Sequence, residues 1–124
     1  DKYESAVRGV FGALDAIEAH LARSRYLCGA AMTEADWRLF TTLVRFDTVY
    51  FGHFKCNLRR LSDYGHLWAY TRDLYQFAGV AETVDLWHIK EHYYRSHERI
   101  NPTGIVPLGP IIDFGAPHGR AALG

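Results

Sequence analysis

Apolar residues recur along the first part of the chain with a helical period. Between Tyr3 and about Ala22, the residues Tyr3, Val7, Val10, Phe11, Leu14, Ile17 and Leu21 fall on one stripe, while Arg8, Asp15, Glu18 and Arg23 lie largely outside it. The spacing predicts an amphipathic helix. A short connection through Cys28-Gly29-Ala30 leads to a second periodic segment, in which Trp37, Phe40, Leu43, Val44 and Phe46 repeat every three or four positions. This predicts a buried central helix opened by Thr33, running to about Tyr50 and ending near Gly52. Ser62 is placed to cap a third helix that contains Leu67, Trp68, Tyr70, Leu74 and Tyr75 and stops at Gly79. Asp85 is placed to cap a fourth, which runs through Ile89, Tyr93 and Tyr94 to about Ser96. Helix follows helix, with no internal repeat and no low-complexity segment, so the fold class is predicted to be all-α.

The central helix has the most strongly specified start. Thr33 can accept from the backbone N–H of Asp36 while Asp36 reaches back to the N–H of Thr33, a capping box that satisfies two otherwise orphaned donors. Met32 before the cap and Trp37 after it can close a hydrophobic staple, and the Asp36 charge complements the positive end of the helix dipole.

From Ile100 the periodicity dissolves. Asn101-Pro102-Thr103-Gly104 and Pro107-Leu108-Gly109-Pro110 break any helix, because proline lacks the donor N–H and glycine opens conformations closed to other residues. Ile105, Val106, Leu108, Ile111, Ile112 and Phe114 give this segment apolar weight, so an extension packed on the bundle is expected. It can wall a pocket, contact a partner subunit, or simply cover the bundle.

With 124 residues the chain can hold one domain with a modest core, and 48% apolar with 15% aromatic residues argue against disorder. Formal net charge is zero, so no global field draws in nucleic acid or an anionic membrane; the cluster Lys55, Arg59, Arg60 reads as a solvated face. No spanning apolar run or signal peptide is present, which makes the cytoplasm the default location.

Four kinds of residue invite a chemical role. Tyr50 and Tyr93 carry phenols that stay protonated at neutral pH and can donate to a developing oxyanion; among eight tyrosines, the residue type alone favours a half-buried core aromatic for each. Cys28 and Cys56 read as small buried hydrophobes, although Cys56 follows His53 and Lys55, and no structural disulfide is expected. His88 and His92 have ligand-compatible helical spacing, but no HExxH pattern or completing set accompanies them, and no metal is assigned. His53 and His97 are candidates to border a pocket, and Tyr94 reads as packing.

A capping box inside an all-helical domain, continued as TLVRFDTVYFGHFKCN, resembles the second domain of the glutathione transferase superfamily. The phrases RFDTVYFGHFKCN, RDLYQFAGVAETV, HIKEHYYRSHERINPTGIVPLGP and PHGR, spread from Arg45 to Arg120, narrow the resemblance to the C-terminal domain of the glutathionyl-hydroquinone reductases, the Xi-class transferases. The resemblance implies a helical domain over residues 1–100, an extension over 101–124, and an upstream thioredoxin-like domain whose cysteine, in a Cys-Pro-Trp-type turn, has no counterpart here. The chain, starting at Asp1 without methionine, is therefore expected to be the C-terminal portion of a longer protein.

The resemblance also assigns roles. It implies that Tyr50, the tyrosine of RFDTVY, and Tyr93, the first of HYY, line the substrate pocket and take part in catalysis, with glutathione as co-substrate and an S-glutathionyl-hydroquinone as substrate. Relatives form homodimers largely through this domain, so dimerisation is expected. The alternative function is a non-catalytic helical module kept for dimerisation or ligand binding.

Overall fold

A computed structural model describes residues 1–124. Five α-helices, α1 (Lys2–Leu21), α2 (Glu34–Arg45), α3 (Phe51–His53), α4 (Gly65–Tyr75) and α5 (Leu86–Ser96), account for the regular structure, together with short 3-10 and π turns; the one β-bridge joins Tyr26 and Gly29. The fold is all-α, as the periodicity predicts. No helix is long and apolar enough to cross a membrane.

Val7, Phe11, Leu14 and Leu21 of α1 enter the core with Phe40, Leu43 and Val44 of α2 and Leu67, Tyr70 and Leu74 of α4. Two members of the predicted α1 stripe do not: Tyr3 and Val10 lie at its outer edge and are exposed. The Asp36 arm of the capping box is the tight one, with the Thr33 N–H donating to the carboxylate at 2.8 Å. The Asp36 N–H bonds the Thr33 carbonyl at 3.1 Å, and the Thr33 hydroxyl makes no capping hydrogen bond.

The central helix is not regular to its end. After Arg45 the segment Phe46–Tyr50 winds as a π-helix, with the Phe51 N–H bonding the Phe46 carbonyl, before α3 closes the run at His53. A continuous helical period through Leu43 and Val44 would bury Asp47 and Tyr50 next. The extra residue of the π turn shifts the inward face to Phe46, Val49 and His53, and leaves Asp47 and Tyr50 half-buried at its flank.

Ser62 does not cap α4. It sits in a 3-10 turn (Leu61–Asp63), where the Leu61 and Ser62 N–H groups donate to the Asp47 carboxylate at 2.5 and 3.1 Å. The first turn of α4 is capped instead by Glu18 of α1, which accepts from the N–H groups of His66 and Leu67 at 2.7 and 2.9 Å. The helix ends at Tyr75, and Gly79, at φ 88°, turns the following connection. Asp85 caps α5 as expected, accepting from the His88 N–H at 2.9 Å.

Beyond Ile100 the chain has carbonyl groups with no ladder to join, and side-chain donors from the helices take them up. Asn101 Nδ2 bonds Tyr94 O and Ile105 O; Lys90 Nζ bonds the carbonyls of Pro107, Leu108 and Gly109; Gln76 Nε2 bonds those of Phe114 and Ala116. Phe114 is buried between Trp68 and Tyr75. Arg120, also buried, donates from Nη2 to the carbonyls of Leu21, Ser24 and Arg25, closing the C-terminal end of α1. Ile105, Leu108 and Ile111, by contrast, stand 68, 93 and 101% exposed, so the apolar weight of this segment is only partly spent on the bundle.

Candidate functional site

The π turn and α5 together assemble an aromatic cluster. Tyr50 leaves the π turn packed against Phe46 and Phe54, with ring centroids 6.3 and 5.7 Å away. Across from it, Tyr93 meets the Tyr50 ring edge-on at 5.8 Å, and the two hydroxyl oxygens lie 3.5 Å apart. Both tyrosines are half-buried. The structure thus brings together two candidates separated by 43 positions in the chain.

Burial first, and then the hydrogen bond with Tyr93, hold the proton on Tyr50, whose pKa is pushed up to about 12. Tyr50 is therefore a hydrogen-bond donor and proton reserve at neutral pH, never a phenolate. Two hydroxyls 3.5 Å apart can both approach one further oxygen at about 2.7–2.8 Å, the three atoms forming a compact triangle. Such a pair can grip a phenolic oxygen and answer negative charge as it develops there.

The wall behind Tyr93 is made of histidines and Phe54. His97, His53 and His92 lie with ring centroids 5.6, 6.3 and 5.3 Å from Tyr93, and Phe54 lies at 6.0 Å. His53 Nε2 and His97 Nδ1 are hydrogen-bonded at 2.9 Å. Burial, followed by the charges of His97 and Lys55, lowers the His53 pKa. Both histidines were legible as border candidates. Their pairing was not, although His53 follows Tyr50 by one helical turn just as His97 follows Tyr93. Tyr94 lines a separate cavity and stands so close to Gly52 that an added Cβ would meet its hydroxyl at 2.8 Å.

The other candidates lie elsewhere. Cys28 is exposed, contrary to its reading as a buried hydrophobe; Cys56 is half-buried, and burial raises its thiol pKa, which disfavours the nucleophilic thiolate. His88 and His92 are exposed on α5, where no group of three metal-ligating side chains gathers. Arg59 is engaged by Asp15 at 3.0 Å and lies over the Tyr64 ring.

Two cavities are lined by other residues. One of about 560 Å³ lies between Trp37, Phe40 and Val44 of α2 and Phe77, Val80 and Ile89. Another of about 440 Å³ lies between Asp47, Trp68, Tyr94 and the extension. Half-buried Tyr50 and Tyr93 line neither.

Residues 1–73 match the family described as glutathione S-transferase, C-terminal domain. The chain is 54% identical over 120 residues to the glutathionyl-hydroquinone reductase YqjG of Escherichia coli, covering 97% of this chain and 37% of that protein. It is 53% identical over 110 residues to the glutathionyl-hydroquinone reductase PcpF of Sphingobium chlorophenolicum, covering 89% of this chain and 35% of that protein. The glutathione-bound structure of YqjG superposes with a TM-score of 0.94 at 55% identity, over 96% of this chain and 39% of that one. The Xi-class transferase of Natrialba magadii superposes with a TM-score of 0.95 at 52% identity, over 97% and 38%. The chain spans a little over a third of the length of these relatives. By the match of its helices and its sequence, the chain belongs to the glutathione S-transferase C-terminal domain family.

Proposed function

We propose that this chain forms the hydroquinone-binding side of a glutathione-dependent reductase that removes glutathione from S-glutathionyl-hydroquinones. The observation that carries the reading is the pair of phenols, Tyr50 and Tyr93, 3.5 Å apart on a chain 54% identical to a glutathionyl-hydroquinone reductase. Residues 1–100 act as the helical domain and 101–124 as its extension, beside a thioredoxin-like domain that supplies the nucleophile.

The chemistry has two thiol steps. A cysteine thiolate of the thioredoxin-like domain attacks the glutathione sulfur; an S–S bond forms, the bond from sulfur to the ring breaks, and the ring carbon takes a proton to give free hydroquinone. A glutathione thiolate then attacks the mixed disulfide, regenerating the cysteine thiolate and releasing oxidised glutathione. Tyr50 and Tyr93 hold the ring hydroxyls and stabilise or protonate the departing ring while it carries negative charge. The raised pKa of Tyr50 suits this task, because the phenol keeps its proton until a strongly basic centre develops. Glutathione is thus a co-substrate held mainly by the other domain.

A homodimer belongs to the same reading, supported by the exposed Ile105, Leu108 and Ile111. A mass in solution that stays monomeric at every concentration contradicts it. A cytoplasmic location follows from the need for reduced glutathione and agrees with two free thiols. The test is glutathione-dependent hydroquinone release, followed by the appearance of oxidised glutathione, with the chain alone and joined to a relative's thioredoxin-like domain. Activity confined to the joined protein supports the assignment. Inactivity of a folded joined protein refutes it and leaves the non-catalytic module.

A further inference from the structure

Two contacts join the end of the central helix to α5 as parallel rungs. The upper is the 3.5 Å approach of the Tyr50 and Tyr93 hydroxyls; the lower is the 2.9 Å hydrogen bond between His53 Nε2 and His97 Nδ1. His53 lies three residues after Tyr50 and His97 four after Tyr93, so each histidine sits one turn below its tyrosine on the same pair of elements. Only the lower rung has the length of a firm hydrogen bond.

The surroundings of His53 define how that bond is made. His53 is 3% exposed, and its Nδ1 is buried without any hydrogen-bond partner in the protein. A buried N–H with no acceptor is rarer and costlier than a bare lone pair, so the proton belongs on Nε2. His53 then donates to His97 Nδ1, and half-buried His97 carries its own proton on Nε2. Adding a proton to His97 Nδ1 would set two N–H groups face to face. The alternative, moving the His53 proton to Nδ1, would bury an unpaired donor. One added proton therefore keeps the rung only with a buried, unpaired Nδ1–H, and an added proton on each ring sets two N–H groups face to face and opens it. The other titratable groups around the pair are Lys55 after α3, Tyr93 and Tyr94 on α5, and Glu98 and Arg99 just beyond it; none gives the buried Nδ1 an acceptor.

We propose that the His53–His97 hydrogen bond is a positioning rung that sets the spacing of Tyr50 and Tyr93, and that acid weakens it and opens it once both imidazoles are protonated. The proposal rests on the reading of those tyrosines as the substrate-facing pair for its catalytic meaning, but its geometry stands without that reading. His53 and His97 touch no reacting atom in this account. They act through the tyrosine rings they brace.

The test reads geometry, not turnover, so failure here and failure of the reductase assignment are distinguishable. Ring-to-ring NOEs between Tyr50 and Tyr93 and their phenol carbon shifts are followed by NMR from neutral to acid pH in the full chain, together with the four ring nitrogens of His53 and His97. In the wild type, the Tyr50–Tyr93 NOEs are expected to vanish in the acid step in which the second of the two imidazoles takes up its proton. His97→Asn presents an amide where Nδ1 stood and cannot titrate, so the NOEs should persist through that step. His97→Leu, with folding checked by the remaining amide spectrum, should lack them even at neutral pH. Wild-type NOEs in His97→Leu, or an unchanged acid step in His97→Asn, overturn the proposal.

Discussion

The Tyr70 hydroxyl of α4 donates to the Asp36 carboxylate of α2 at 2.7 Å, deep in the core and across 34 positions of chain. The same carboxylate, with no exposed surface, also accepts the backbone N–H groups of Leu27 and Thr33 at 2.9 and 2.8 Å. What reads in sequence as a local helix cap is the point at which the α1–α2 connection, the start of α2 and the middle of α4 are tied together.

Asp36→Ala should therefore destabilise the chain by about 3–5 kcal/mol, since it strands three donors at once, the Tyr70 hydroxyl fully buried and the Leu27 and Thr33 N–H groups partly so. Tyr70→Phe removes one bond to a charged acceptor and should cost about 1.5–3 kcal/mol. Thr33→Ala, whose hydroxyl makes no capping bond, should cost no more than about 1 kcal/mol. Urea unfolding of the three variants checks the order; a Thr33 effect equal to that of Asp36 would contradict the shared-carboxylate account.

That contrast shows how far the sequence alone reaches. Features with local causes were legible: the α1 stripe, the Thr33–Asp36 box and the Asp85 cap each depend on residues within a few turns. Features with distant causes were not. Glu18 caps α4 from 48 positions upstream, and Asp47 accepts the Leu61 and Ser62 N–H groups, holding Ser62 in a 3-10 turn away from the α4 cap. The π turn left no mark in the apolar period, because aromatic residues fill Phe46, Tyr50 and Phe51 whichever winding is adopted. At the candidate site, resemblance marks the two tyrosines; their approach, and the histidine rung beneath them, depend on the π turn that brings Tyr50 and His53 against α5.

Lys90 is buried, and its ammonium is satisfied by the carbonyls of Pro107, Leu108 and Gly109. Lys90→Met keeps the stem and removes the three donors. Residues 105–112 should then exchange amide hydrogens faster and be cut first in limited proteolysis, while α1 and α4 stay protected. Unchanged exchange over 105–112 would mean that the extension is held by its apolar contacts alone.

Burial sets the pH response of His53. Its folded-state pKa lies below the ordinary imidazole value, so on acidification the unfolded chain takes up the proton first. This contribution to stability is complete above the ordinary value of about 6.5 and declines as pH falls from there to the lowered folded-state value. Urea midpoints measured across that window should drop with acid in the wild type and drop less in His53→Gln. Equal slopes would remove the burial effect.

The two thiols should separate by reactivity. Cys28 is exposed, whereas Cys56 is half-buried with its thiol pKa raised by burial. A maleimide at neutral pH should label Cys28 first and Cys56 much more slowly, as peptide mass mapping would read out. Faster labelling of Cys56 would reveal an activated thiol where the structure places an inert one.

The central claim is that Tyr50 and Tyr93 together grip the hydroquinone, and its most direct test is turnover. Release of hydroquinone from a glutathionyl-hydroquinone should be measured with this domain joined to a thioredoxin-like domain bearing the cysteine, as wild type and as Tyr50→Phe and Tyr93→Phe. Each variant should keep its fold and lose on the order of 10-fold to 100-fold in kcat, in keeping with removal of one donor to developing charge. Unchanged kcat in both variants, with the wild type active, would contradict the claim.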